Sequence, residues 1–141
     1  MTADDLSPHV PVEILDNHQC WVFLAQQQLG RLVTGSGERA DIFPVNYVVD
    51  DHHLYFRTAE GTKLVELTVN DRVLFEADHI DTTNGWSVVV RGTARALTSF
   101  TEMARIDELG LRSWIPTPKY NIVEITATEI TGRAVHFDPE N

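Results

Sequence analysis

The sequence predicts a mainly β (α+β) fold, a six-stranded antiparallel barrel, closed or partly closed, with short helices at its crossovers. Three observations carry this. Five or six short runs are rich in β-branched and aromatic residues and are separated by turn clusters, of which Asp81-Thr82-Thr83-Asn84-Gly85 is the clearest. Two runs, 86–97 and 120–135, are long enough to bend and serve two sheets. The stretches with helical spacing between them are short.

The elements follow in order. With 141 residues the chain has the size of one domain, placed at 14–137 between an N-terminal arm, 1–13, and a tail, 138–141. Asp16 followed by Gln19 has the form of a capping box, ahead of Cys20, Trp21, Leu24 and Ala25 on one helical face; Gln26, Gln27 and Gln28 extend this helix and Gly30 ends it. Arg31 to Thr34 is a short strand and Gly35 to Glu38 a turn. Ile42 to Val49 is a mostly apolar strand in which Pro44 and Asn46 stand out. Pro44 donates no backbone hydrogen bond and marks a bulge, an edge or a gap in the sheet; Asn46 faces the same side and brings donors and an acceptor. Either the strand is bulged with a structural asparagine, or a planar ligand lies along it.

Asp50-Asp51-His52 turns the chain into the strand His53 to Arg57. Lys63 to Leu67 has helical spacing with Thr62 as N-cap, and Asn70-Asp71 leads into a strand from Arg72 to Asp78. The long strand Trp86 to Leu97 contains Gly92, a bulge or barrel corner. Ser99 with Glu102 forms a second capping box, starting a helix to about Glu108 that Gly110 stops. Leu111 to Lys119 is a loop, and the last strand is interrupted near Glu129.

The joint Arg57-Thr58-Ala59-Glu60-Gly61-Thr62-Lys63 suits a phosphate-sized anion. A helix that starts at Thr62 leaves amides without intrahelical partners and carries the positive end of its dipole there. Arg57 offers a planar fork of donors, Lys63 a mobile charge, and Thr58 and Thr62 hydroxyls. The alternative is a surface turn whose Arg57 and Lys63 pair with Glu60, Glu66 or Asp71.

Composition narrows the partners. A net charge of −10 with scattered basic residues argues against nucleic acid and against an acidic membrane surface. The N-terminus lacks the features of a signal peptide, and no stretch approaches the roughly 18 apolar residues of a membrane span, so a cytoplasmic location is expected. Cys20 is the one cysteine; it forms no intrachain disulfide, and no metal site is expected. It reads as a buried, inert thiol.

Gly30-Arg31-Leu32, Phe43-Pro44-Val45-Asn46-Tyr47, Arg57-Thr58 followed by Gly61-Thr62-Lys63-Leu64, Val73 to Asp78, and Gly85-Trp86-Ser87-Val88-Val89-Val90-Arg91-Gly92, in that order, resemble the pyridoxamine 5'-phosphate oxidase-like family of flavin-binding split β-barrels. The resemblance spans about residues 14 to 135. It implies a homodimer with two flavin sites at the subunit interface, FMN being the usual cofactor, and a flavin-dependent oxidoreductase of unassigned substrate. By motif, Arg57, Thr58, Thr62 and Lys63 would hold the phosphate. Pro44, Val45 and Asn46 would run along the isoalloxazine and ribityl chain, with Trp86 and Ser87 nearby. Trp114 or Arg133 would reach the partner's flavin, with packing the alternative role for Trp114. The oxidases proper carry a C-terminal Arg-x-His pattern that this sequence lacks, which argues against pyridoxamine phosphate as substrate. Two alternatives remain: an F420-dependent reductase, disfavoured because the polyglutamate tail of F420 calls for a basic groove, and a non-catalytic flavin or haem binder, with His18, His52, His53 and His79 as undistinguished axial candidates.

Overall fold

The computed structural model describes residues 2, 11–36, 38–58, 71–111 and 121–137. Seven strands form one sheet: β1 (Val12–Ile14), β2 (Leu29–Ser36), β3 (Arg39–Asp50), β4 (His53–Thr58), β5 (Arg72–Ile80), β6 (Asn84–Ala96) and β7 (Asn121–His136). The order is β1-β7-β4-β3-β2-β5-β6, and β6 pairs again with β7. Six strands thus close into the expected antiparallel ring, and β1, from the end of the N-terminal arm, adds a seventh outside it on β7. The described helices are α1 (Asn17–Leu24) and α2 (Phe100–Glu108).

Alternation along the strands sorts side chains into an inner and an outer set. Leu32, Val45, Tyr47, Leu54, Phe56, Phe75, Val88 and Val90 fill the barrel. From α1, Cys20, Phe23 and Leu24 join the same core, so this helix closes one end. Burial, and then the charge of Asp16, push the Cys20 thiol up to about 11, as expected of an inert buried cysteine. On the outside, α2 lies against β3, β4 and β7: Ile106, Leu97 and Leu111 pack with Tyr55 and Ile122.

The α1 capping box forms as expected, with Gln19 N–H on the Asp16 carboxylate at 2.8 Å and Asp16 N–H on the Gln19 side chain at 2.9 Å. The helix ends at Leu24, earlier than expected, and Gly30 lies inside β2. Glycine is needed there because a Cβ would sit 2.2 Å from the Phe75 ring; it does not stop a helix. At α2 only half of the second box forms. Ser99 Oγ accepts from Glu102 N–H, while the Glu102 carboxylate turns to Arg95. Gly110 follows the helix with φ +76°, as a C-terminal stop requires.

Closure rests on the β6–β7 ladder, whose register shifts between Arg91 and Gly92. Opposite them Thr128 is the extra residue, and its hydroxyl donates to Arg91 C=O at 3.0 Å. The bulge reverses the alternation of β7: Val123 and Ile125 face inward before it, Ala134 after it. One strand thereby stays in the barrel over its whole length. A Cβ on Gly92 would meet the Thr126 carbonyl oxygen at 2.2 Å, whereas one on Gly35 meets its nearest atom at 3.5 Å. Gly92→Ala is therefore expected to lower stability by roughly 1–3 kcal/mol in urea unfolding, with Gly35→Ala near wild type.

Candidate functional site

The site begins where two neighbouring strands part. β3 pairs with β2 from Leu29↔Asn46 to Ser36↔Arg39, but with β4 only from Tyr47↔Phe56 to Asp50↔His53. Beyond Phe56, Arg57 and Thr58 continue on β7. A gap opens between β3 and β4 at that level. Tyr47 N–H donates to Gln28 C=O at 3.0 Å, and the β2–β3 register is regular, so Val45 turns its backbone groups to β2 and residue 44 turns its own to the gap. Pro44 therefore sits where no ladder donor is required. The regular β2–β3 register excludes a bulge here, and among the described residues no strand pairs with β3 on the other side of Pro44.

Side chains at this gap divide by alternation. Pro44 and Asn46 face outward, while Val45 is 4% exposed and belongs to the core. Asn46 Nδ2 donates to Gln28 C=O at 3.3 Å. Together with Val48, with Gln27 and Gln28 after α1, and with Leu109 to Leu111 after α2, Asn46 lines a cleft of about 600 Å³. That volume is in the range of small-molecule sites. Its walls are amide groups and aliphatic carbons, without a charged side chain among the lining residues.

Arg57 faces outward beside this cleft. Its Nε donates to Leu111 C=O at 3.2 Å, and its guanidinium forms an ion pair with Asp107. Among the described residues the carboxylate that it meets is Asp107 of α2; Glu60 and Glu66, two of the partners named in the surface-turn alternative, lie outside them. Thr58, next along β4, is 3% exposed and follows Leu54 and Phe56 on the inner side. Thr62 and Lys63, the other two expected phosphate ligands, and Trp114 lie outside the described residues.

Trp86 and Ser87 are likewise divided. Trp86 was expected beside the ligand; in the protomer it is a core residue, 4% exposed, its ring stacked on Phe23 at 5.2 Å between centroids. Ser87 faces outward between Asp78 of β5 and Arg133 of β7. It lines a second hollow of about 450 Å³ with Val89, Thr131, Arg133 and Ile14. The outer face thus carries Pro44, Asn46, Arg57, Ser87 and Arg133, and the inner face Val45, Thr58 and Trp86.

Between Pro44 and Ser87 lies a charged cluster to which sequence reasoning gave no role. Pro44 pairs with Arg31, and Arg31 with Glu76. One guanidinium nitrogen of Arg31 reaches Glu76 at 2.9 Å and Asp78 at 3.4 Å. The spacing of Glu76 and Asp78, two apart on a strand, was the available signal, since it puts both carboxylates on one face. Burial, then the hydrogen bond and charge of Asp78, raise the Glu76 carboxyl above its usual range, against the opposing effect of Arg31.

The family model of pyridoxamine 5'-phosphate oxidase matches residues 16–134. The chain belongs to that family. A Corynebacterium glutamicum protein provisionally described as a pyridoxamine 5'-phosphate oxidase is 42% identical, with a TM-score of 0.83 over 94% of this chain and 99% of its own. The FAD-binding protein of Mycobacterium smegmatis is 41% identical, with a TM-score of 0.75 over 88% of this chain and 98% of its own. An uncharacterised Mycobacterium tuberculosis protein is 38% identical over 66% of this chain and 84% of its own length.

The raised Glu76 carboxyl makes a signed prediction. The native state holds its proton more tightly than the unfolded chain, so this group favours the fold below the usual glutamate range and loses that contribution as pH rises through the native value. Glu76→Gln should therefore gain in Tm relative to wild type on going from pH 4 to pH 7, as measured by thermal unfolding; an equal difference at the two pH values would contradict the assignment.

Proposed function

We propose that the chain is a flavin-binding oxidoreductase that acts as a homodimer, with FMN as the cofactor and a small molecule as substrate. The observation that carries the proposal is the parting of β3 and β4 beyond Tyr47 and Phe56, with Asn46 of β3 lining the cleft and Arg57 of β4 bonded to its wall at Leu111 C=O. A flavin fits these residues. The isoalloxazine is planar with a polar edge, and an extended strand whose proline needs no ladder partner offers it a flat, amide-bearing surface. Arg57 suits the phosphate by its planar donor fork, with Thr62 and Lys63 as further expected ligands beyond the described residues. The 41% identical M. smegmatis relative, named as FAD-binding, supports flavin over haem and F420.

When bound, the flavin would supply the redox chemistry, and the chain's residues orient it. Asn46 would hydrogen-bond the ring's polar edge and Arg57 would fix the far end of the ligand.

The exposed surface favours a second copy as partner. Among the large apolar residues that stay exposed are Val12 at 50%, Ile14 at 70%, Ile42 at 67% and Ile80 at 72%. They lie on the outward side of β1, β3 and β5, which neither described helix covers, and Ser87 and Arg133 share that side. Exposed apolar area of this extent favours a protein partner, and a second copy would bring its Ser87 and Arg133 to the first copy's ligand.

An absorption spectrum of the purified protein, followed by titration with FMN, FAD, F420 and haem, tests the reading. Submicromolar FMN binding is expected, and Asn46→Ala should weaken it up to about tenfold, the value of a hydrogen bond. Preference for F420 or haem, or no binding at all, would overturn it. In sedimentation the wild type is expected as a dimer and Ile42→Asp as a weaker one; a wild-type monomer at micromolar concentration would remove the interfacial site.

A further inference from the structure

Among the described residues, three ion-pair groups surround α2. Arg95 bonds Glu102 and Glu124 at 3.3 and 3.1 Å. Arg105 pairs with Asp50 and donates to the Tyr55 hydroxyl at 3.1 Å. Arg57 holds Asp107 and the Leu111 carbonyl. The first two fasten the sides of the helix to β6, through Arg95, and to β3 and β4, through Arg105. The third differs, because it engages the cation that the proposed function gives to the ligand.

Asp107 stands in the last turn of α2, one residue before its end. A carboxylate there opposes the helix dipole, so the helix gains nothing from Asp107 unless a cation answers it. Arg57 is that cation, and it also satisfies a carbonyl just past the helix, at Leu111. The residues between, Leu109 to Leu111, form one wall of the cleft. The guanidinium thus joins the cleft wall to β4 at the position where an anionic ligand would bind.

Resting on the flavin reading above, we infer that Asp107 is a specificity-determining residue: it occupies Arg57 until a phosphate monoester displaces it. Exchange of one singly charged carboxylate for another gains little. A phosphate carries a charge of about −1.5 to −2 and three strong acceptors, and so wins the guanidinium where a carboxylate or a neutral flavin does not. Displacement leaves Asp107 facing the helix dipole alone and removes a donor from Leu111 C=O, so the last turn of α2 loosens as the phosphate seats. Asp107 does not touch the reacting part of the ligand; it acts through Arg57.

The test compares wild type, Asp107→Asn, Arg57→Ala and the double variant by titration with FMN, riboflavin and inorganic phosphate, with circular dichroism to verify folding. Asp107 is largely exposed, with 56% of its side chain accessible, so the asparagine variant is expected to fold. Asp107→Asn should bind FMN and phosphate roughly three- to tenfold tighter, with riboflavin unchanged. Arg57→Ala should bring FMN near riboflavin, and the gain should vanish in the double variant. Hydrogen exchange at residues 106–111 should quicken when FMN is added to wild type and not when riboflavin is. If Arg57→Ala weakens FMN but Asp107→Asn leaves it unchanged or weaker, the displacement is wrong and the flavin reading stands. If neither variant alters FMN binding, Arg57 does not hold the phosphate and both ideas fall.

Discussion

Closing a narrow sheet on itself is the constraint from which the rest follows. Six strands enclose too little space for a ligand; the interior is filled by Tyr47, Leu54, Phe56, Phe75, Trp86 and their neighbours. The ring can close only because β6 and β7 pair along most of their lengths, and they can do so only by turning a corner. Gly92 supplies that corner by letting the Thr126 carbonyl approach where any side chain would stand. Thr128 then takes up the extra residue and resets which face of β7 looks inward.

A filled barrel moves recognition to its outer surface. There α1 and α2 leave two different environments. Under α2 the outside of β3, β4 and β7 is covered by apolar packing and ion pairs. Elsewhere neither described helix covers the outside of the sheet, which carries exposed isoleucines at its margins and the Arg31, Glu76 and Asp78 cluster between Pro44 and Ser87. The cleft at Asn46 lies at the boundary of the two, where β3 leaves β4. A ligand there would have a strand on one side and the end of a helix on another.

How much of this the sequence disclosed depended on whether the signal was local. The start of α1 was legible because Asp16 and Gln19 satisfy each other's backbone within one turn. The bulge at Gly92 was legible because a glycine inside a long β-branched strand has few other reasons to be there. The end of α1 was not, since Gly30 looks the same whether it stops a helix or makes room for Phe75 across a sheet. At the candidate site, motif and order single out β3, β4 and β6, but adjacent residues on a strand face opposite ways. Val45, Thr58 and Trp86 could not share a surface with Pro44, Arg57 and Ser87, and only burial decides which set is inside. The partner of Arg57 was beyond reach, because Asp107 is fifty residues away on another element and no local pattern links them.

The central claim is that the flavin site is completed by a second copy of the chain. It is tested most directly by diluting the FMN-loaded protein through its dimer dissociation while following flavin fluorescence and, in parallel, sedimentation. The account predicts that flavin is released together with the appearance of monomer, since each protomer presents only part of the site. Flavin that stays bound to the monomer with undiminished affinity would contradict it.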